Sequence, residues 1–368
     1  MKKILYVILF FLIILTGCNS DMLAAKGRQN SVPSVENIAL PSESVSSTIS
    51  QSSIRESTRP AIIQLSMVSM NSGFALTEER HILKTTDGGL TWSDIYIIED
   101  TDMITDIKPV IEAIDDNILF LVAQYNNHTN FIKTTDGGHT WFSTIINSKL
   151  NWVNDDIGKY AMDFIDANNG YLLIDSTPAA SQMYKVLYKT TDAGENWIMI
   201  CGDKGCDDII TGITPSGISG YPTAISFINS ECGWILSGSN GAFAYGLFIN
   251  QTDDGGKTWR TIDYPVFPKK FSVMDGEDIY VEASKPSFFS TKNQYGKMIL
   301  SFHQYDLGQN DISYIYSFTK KKTWILDGKC NIQISNFKFM NDKNGVGLDI
   351  NGNVCLTKDG GLNWSKVE

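Results

Sequence analysis

Histidine, arginine and paired cysteines are scarce in this chain. Among its 368 residues there are four histidines and six cysteines, and the arginines are Arg28, Arg55, Arg59, Arg80 and Arg260. No Cys-x-x-Cys pair occurs, so a structural zinc site has no framework, and no metal or other cofactor is expected. No Gly-x-Ser-x-Gly elbow occurs either. His81, His128, His139 and His303 stand apart from any nucleophile motif, which argues against Ser, Cys or His catalysis. Paired glycines belong to one recurring motif, not to a phosphate-binding loop after a strand. Positive charge is also in deficit: the formal net charge is −11. Such a surface repels a polyanion, so no nucleic-acid partner is expected. What remains, 42% hydrophobic and 19% charged residues, is the balance of a chain that can bury a sizeable core.

Only one long apolar run is present, from Ile4 to Leu15 after Lys2 and Lys3. Its 12 residues fall short of the roughly 20 needed to span a bilayer as a helix. A short basic region, an apolar run and then small residues describe a secretory signal. The end of the run, Leu15-Thr16-Gly17-Cys18, resembles the lipobox of bacterial lipoproteins. That resemblance implies a signal peptide over residues 1–17 and diacylglycerol on the sulfur of Cys18. The protein would then be exported and anchored to the outer side of the cell membrane without crossing it. An exported protein can keep disulfides. Cys201 and Cys206 could close a small loop, but with Cys232, Cys330 and Cys355 the remaining cysteines are odd in number.

From Asn19 to about Thr58 the chain is polar and Ser-rich, with SVSSTISQSS over residues 44–53. It lacks the aromatics that build a core, so residues 18–59 read as a flexible tether. From Pro60 onward short apolar runs alternate with turn signals. Five segments are near copies: Lys84-TTDGGLTW-Ser93, Lys133-TTDGGHTW-Phe142, Lys189-TTDAGENW-Ile198, Gln251-TDDGGKTW-Arg260 and Leu356-TKDGGLNW-Ser365. A sixth, Ser317-FTKKKTW-Ile325, keeps Thr323 and Trp324 but loses the Asp and both Gly. The tryptophans Trp92, Trp141, Trp197, Trp259, Trp324 and Trp364 follow one another at 49, 56, 62, 65 and 40 residues. That is the scale of one four-stranded propeller blade. A weaker repeat precedes each motif, as in Phe164-IDANNG-Tyr171, Phe227-INSECG-Trp234 and Phe339-MNDKNG-Val346, and reads as a hairpin turn. In the second unit, Ala113 to Asn117, the Gly is missing.

The pattern predicts an all-β fold over residues 60–368: a single β-propeller of six four-stranded antiparallel blades. Seven blades is the alternative, because residues 265–312 are long enough for an extra hairpin. Each blade alone has an unburied face, and closing the ring gives it two neighbours.

The repeated T-x-D-x-G-x-T/N-W resembles the Asp-box, or BNR repeat, of sialidases, other glycoside hydrolases, sortilin-type receptors and the photosystem II assembly factor family. The resemblance implies the propeller with the motif at each C–D turn. For function it leaves several chemistries open, since one scaffold serves many. The aspartates Asp87, Asp136, Asp192, Asp254 and Asp359 are expected to bond backbone amides about two residues on. Thr91, Thr140 and Thr258 would add hydroxyl bonds, and the Trp would wedge between blades. Spread one per blade, these aspartates cannot meet as the pair, about 5–10 Å apart, that glycoside hydrolysis needs.

Sialidases grip their substrate's carboxylate with three arginines. Here Arg28 and Arg55 lie in the tether, Arg260 directly follows a motif Trp, and the Phe/Tyr-Arg-Ile/Val-Pro signature is absent, so a sialidase is not expected. The resemblance implies that the ligand site lies on the face opposite the repeated turns. Candidate binding aromatics on the loops assigned there are Tyr125, Trp152, Tyr160, Tyr221, Tyr245 and Tyr305, able to stack on sugars or anchor a protein. The expectation is a non-catalytic binding or assembly scaffold for a protein or glycan. The alternative is a glycoside hydrolase using loop carboxylates such as Asp102, Asp155, Asp207 and Glu277.

Overall fold

The apolar runs between turn signals become strands buried on both faces because each is pressed between two neighbouring sheets. The computed structural model describes residues 61–98, 107–125, 128–146, 157–176, 185–202, 217–238, 246–271, 279–289, 294–304, 311–319 and 323–368. The chain divides into Met1–Ser57 and Thr58–Glu368, and every described residue belongs to the second part.

Six antiparallel sheets follow one another along the chain. Blade 1 holds β1 (Ile62–Met67), β2 (Gly73–Thr77), β3 (His81–Thr85) and β4 (Ser93–Ile97). Blade 2 holds β5 (Val110–Ala113), β6 (Leu119–Tyr125), β7 (His128–Thr134) and β8 (Phe142–Ile145). Blade 3 holds β9 (Ile157–Phe164), β10 (Gly170–Ser176), β11 (Lys185–Thr190) and β12 (Ile198–Gly202). Blade 4 holds β13 (Tyr221–Phe227), β14 (Gly233–Gly238), β15 (Leu247–Thr252) and β16 (Arg260–Ile262). Blade 5 holds β17 (Ile279–Ala283), β18 (Ser287–Phe288), β19 (Gln294–Gln304), β20 (Ile312–Thr319) and β21 (Trp324–Lys329). Blade 6 holds β22 (Ile334–Phe339), β23 (Gly345–Asp349), β24 (Val354–Thr357) and β25 (Trp364–Lys366). Together they form a six-bladed β-propeller, its blades running from strand A at the centre to strand D at the rim.

Strand burial follows position in the blade. The B strands β2, β10 and β23 are buried at every residue, whereas the D strand β8 is exposed at every residue. Residues 265–312 form no seventh sheet among the described residues. They supply instead the split inner strand of blade 5, β17 and β18, which both pair with β19. Pro286 sits at the break, where it cannot donate to a ladder. Phe267 and Phe271 of the same stretch are buried, and Phe271 stacks on Phe302 at 4.4 Å.

The core lies between blades, as six apolar clusters, each drawn from two neighbours. Stability is therefore built junction by junction. A side-chain bond near the axis reinforces many junctions. Ser66 accepts from Ala113 N at 2.7 Å, Asp163 from Phe227 N at 2.8 Å and Ser287 from Phe339 N at 2.8 Å. These three acceptors share one register, the residue before the last of strand A.

Candidate functional site

The recurrent turns define one end of the ring. In blade 1, Asp87 Oδ1 accepts from Thr91 N at 2.9 Å and Oδ2 from the Thr91 hydroxyl at 2.5 Å. Asp136, Asp192, Asp254 and Asp359 repeat this grip on Thr140, Asn196, Thr258 and Asn363. The span is four residues, not the two expected from an Asx turn. Two glycines in the left-handed region, Gly88 at φ 77° and Gly89 at φ 92°, curl the chain so that the fourth residue returns to the carboxylate. The motif's leading threonine is a second clamp. Thr85 Oγ1 donates to Asp87 and accepts from Gly89 N at 2.9 Å; Thr134, Thr190, Thr252 and Thr357 do the same. Threonine hydrogen bonds hold the Asp87 and Asp136 carboxylates below their usual range.

Four of the six recurrent tryptophans close their own turns, whereas the Trp197 and Trp324 indole N–H groups have no hydrogen-bond partner among the described residues. Trp92, Trp141, Trp259 and Trp364 donate Nε1–H to the carbonyls of Gly89, Gly138, Gly256 and Gly361. Trp141 lies 4.3 Å from Tyr96 of blade 1, and Trp197 lies 5.3 Å edge-on to Phe131 of blade 2. The second glycine touches the same neighbour: a Cβ on Gly138 would sit 2.8 Å from Ile95, and one on Gly256 2.8 Å from Leu187. These turns are thus joints between blades, and their carboxylates are occupied.

Among the described residues, two cavities lie along the axis of the ring. The larger, about 540 Å³, is lined by the ends of the A strands and by the A–B turn residues Ile165, Ile228 and Asn229. It lies on the recurrent-turn side, because the A–B turns bond those turns, as Gly88 N does to Asn71 O at 2.6 Å. The smaller, about 360 Å³, lies at the opposite end among Lys108, Lys159, Tyr160 and Ser284. The resemblance of the repeat implied a ligand on that opposite face, yet the larger cavity is on the other.

Between the cavities stands an ion cluster that no local motif announces. Lys285, in the break of blade 5's inner strand, reaches across to Glu112 Oε2 of blade 2 at 2.7 Å. Its ammonium also meets Asp163 Oδ1 of blade 3 at 2.9 Å and donates to Met162 O at 2.9 Å. Lys285 borders both cavities. Burial works to lower its pKa, but the charges of Asp163 and Glu112 outweigh burial and hold the ammonium above its usual range. Asp163 is fully engaged, its other oxygen taken by Phe227 N.

Of the aromatics proposed from sequence, two have described side chains. Tyr160 is only 2% exposed and its hydroxyl lies 3.0 Å from that of Thr129. It was expected on a loop, but β9 already begins at Ile157, so Tyr160 is a buried strand residue that borders the smaller cavity. Tyr221 opens β13 and is half-buried. The side chain of Tyr125, and Trp152, Tyr245 and Tyr305, lie outside the described residues. So do Cys18, Cys206 and the loop carboxylates Asp102, Asp155, Asp207 and Glu277. Cys330 and Cys355 are buried free thiols, pushed up by burial to about 12 and about 11, which leaves them inert at neutral pH. Arg260 pairs with Asp253 at 2.9 Å on the rim.

The fold and this site define a six-bladed β-propeller whose axial channel is spanned by a lysine. No protein-family model matches the chain, and no curated protein matches it. Solved structures do. The chain is similar to the six-bladed lectin of Aleuria aurantia, at 8% identity and TM-score 0.50, over 84% of this chain and 96% of that one. It is also similar to YCF48 bound to D1 peptide, at 14% identity and TM-score 0.47, over 83% and 80% of the two chains. A third likeness is to the Trypanosoma rangeli sialidase, at 12% identity and TM-score 0.44, over 81% of this chain and 52% of that one. At such identities the likeness speaks to the fold alone.

Proposed function

We propose that this protein is an exported, lipid-anchored propeller that binds or assembles a protein or glycan partner without transforming it. The observation that carries the non-catalytic reading is the Lys285 ammonium lying between Glu112 and Asp163. A glycosidase acid must hold a proton to give, and its nucleophile must be free to attack. Here both carboxylates of the cavity share one cation, and Asp163 has no oxygen to spare. The anchor rests on the Leu15-Thr16-Gly17-Cys18 segment behind its apolar run.

A second reading uses the same pair. Two carboxylates that touch one nitrogen are close enough for a retaining glycosidase. A panel of aryl glycosides and a glycan array, both applied to the full chain in detergent, separate the readings. Saturable binding without turnover is expected. Turnover that disappears in Glu112→Gln would establish the hydrolase instead. For the anchor, labelled fatty acid should enter the wild-type chain and not Cys18→Ala, which should also lose membrane association.

A further inference from the structure

The larger cavity is not symmetric about the axis. Blades 1, 2 and 6 line it only from their inner strands, and blade 3 only from its inner strand and the turn that follows. Blade 4 contributes strands A, B and C, and blade 5 strands A and C. The cavity therefore runs outward between blades 4 and 5, bordered by Cys232, Trp234, Gln251, Phe288 and Phe318.

The other junctions show what normally fills this place. In blades 1 to 3 an aromatic on strand B faces a lysine on strand C: Phe74 pairs Lys84, Phe120 pairs Lys133 and Tyr171 pairs Lys189. These pairs grip main-chain carbonyls of the next blade's turns. Lys84 Nζ donates to Asp116 O at 2.8 Å and Gly137 O at 3.3 Å, Lys133 Nζ to Ala193 O at 3.2 Å, and the Tyr171 hydroxyl to Ser230 O at 3.1 Å.

At the same register blade 4 carries Trp234 opposite Gln251. The next turn, in blade 5, is the one whose sequence has lost its Asp and both glycines. Gln251 turns back to its own blade, at 3.3 Å from Asp253. The indole N–H of Trp234 is buried, the residue being 2% exposed, and among the described residues it has no hydrogen-bond partner, a state it shares with Trp197 and Trp324. Buried tryptophan N–H groups normally find an acceptor.

We propose that this crevice is a binding site for a polypeptide segment of a partner protein, which supplies to Trp234 the main-chain carbonyl that a neighbouring turn supplies elsewhere in the ring. The proposal rests on the binding reading above and narrows its ligand from protein or glycan to peptide. The charges bordering the cavity, Glu112, Asp163, Lys285 and Lys338, cancel, which suits an uncharged peptide backbone. A volume of about 540 Å³ is within the usual range for ligand sites.

The test begins with a random peptide display library panned on the full chain in detergent. Selected peptides should bind Trp234→Phe, which keeps a ring but loses the donor, about three- to tenfold more weakly. In protein labelled at tryptophan with nitrogen-15, the Trp234 indole resonance, assigned by its absence in that variant, should shift on peptide addition. This second readout holds even if the variant is unstable. Peptides that bind with that resonance unmoved would overturn the crevice site and leave the binding reading standing. A library that yields no binder also overturns it, and a chain that in addition hydrolyses a glycoside overturns both.

Discussion

The backbone N–H of Leu65 donates to Oδ1 of Asn336 at 2.9 Å, across the seam where the first and last blades meet. Among the described residues no strand is exchanged at this seam: blade 1 is N-terminal to the others and blade 6 C-terminal. Closure rests on this bond and on the apolar cluster of Ile62, Leu65 and Met67 with Val346, Leu348 and Val354. Asn336→Ala leaves a buried N–H without its acceptor, which costs about 1–3 kcal/mol. Thermal unfolding should shift down accordingly. An unchanged midpoint would show that apolar packing alone closes the ring.

Among the described residues, Lys285 ties blades 2, 3 and 5 together across the axis. Replacing it with Met leaves buried Asp163 and half-buried Glu112 without their cation, and breaking such a pair from one side costs up to about 3–5 kcal/mol when it is fully buried, less here. Adding Glu112→Gln and Asp163→Asn should recover much of that loss, because the unpaired charges are then gone. Denaturant titration of the single and triple variants measures both effects. A triple variant no more stable than Lys285→Met would mean that the lysine acts through packing.

How much of this was legible in the sequence depends on distance along the chain. Each recurrent turn is local, so Asp87 to Trp92 and its copies mark the C–D joints wherever they occur, and Trp324 marked the joint whose glycines are lost. Positive φ at the paired glycines was legible as a turn signal, but not that it curls the chain far enough to bring the fourth residue, not the second, back to the Asp carboxylate. The lysines at 84, 133 and 189 were visible as part of the repeat, but their targets lie in the next blade. Glu112, Asp163 and Lys285 share no spacing at all. The ring brings together residues 173 positions apart, and nothing local records that. Tyr160 was expected on a loop because polar residues precede it, but its strand already runs from Ile157.

Acid should destabilise the propeller through its turns. Folded-state pKa values of Asp87, Asp136, Asp192, Asp254 and Asp359 lie below the usual value. Below about pH 4 the unfolded chain takes up protons that these carboxylates refuse, so their contribution is full above that pH and is lost as pH falls through the folded values. Asp175 has the opposite sign. Burial pushes it up to about 7 despite Lys159 and Lys185. Its contribution is present below about pH 4 and lost as pH rises through about 7. Asp175→Asn should therefore stabilise the protein more at about pH 8 than at about pH 5. Equal gains at both would show that Asp175 does not titrate between them.

One recurrent turn carries an avoidable strain. Ala193 sits at φ 58°, where Gly88, Gly137, Gly255 and Gly360 stand in the sister turns at φ 75–78°. A Cβ in the left-handed region costs roughly 1–2 kcal/mol, and the extra freedom of an unfolded glycine offsets part of the relief. Ala193→Gly should then stabilise by about 0.5–1 kcal/mol, and the reverse change Gly255→Ala should destabilise by more, since its Cβ would stand 2.7 Å from Ser230 O. Both are read from the midpoint of thermal unfolding. A lower midpoint for Ala193→Gly would show that the methyl group's contacts against blade 2, whose Lys133 binds the Ala193 carbonyl, outweigh the backbone strain.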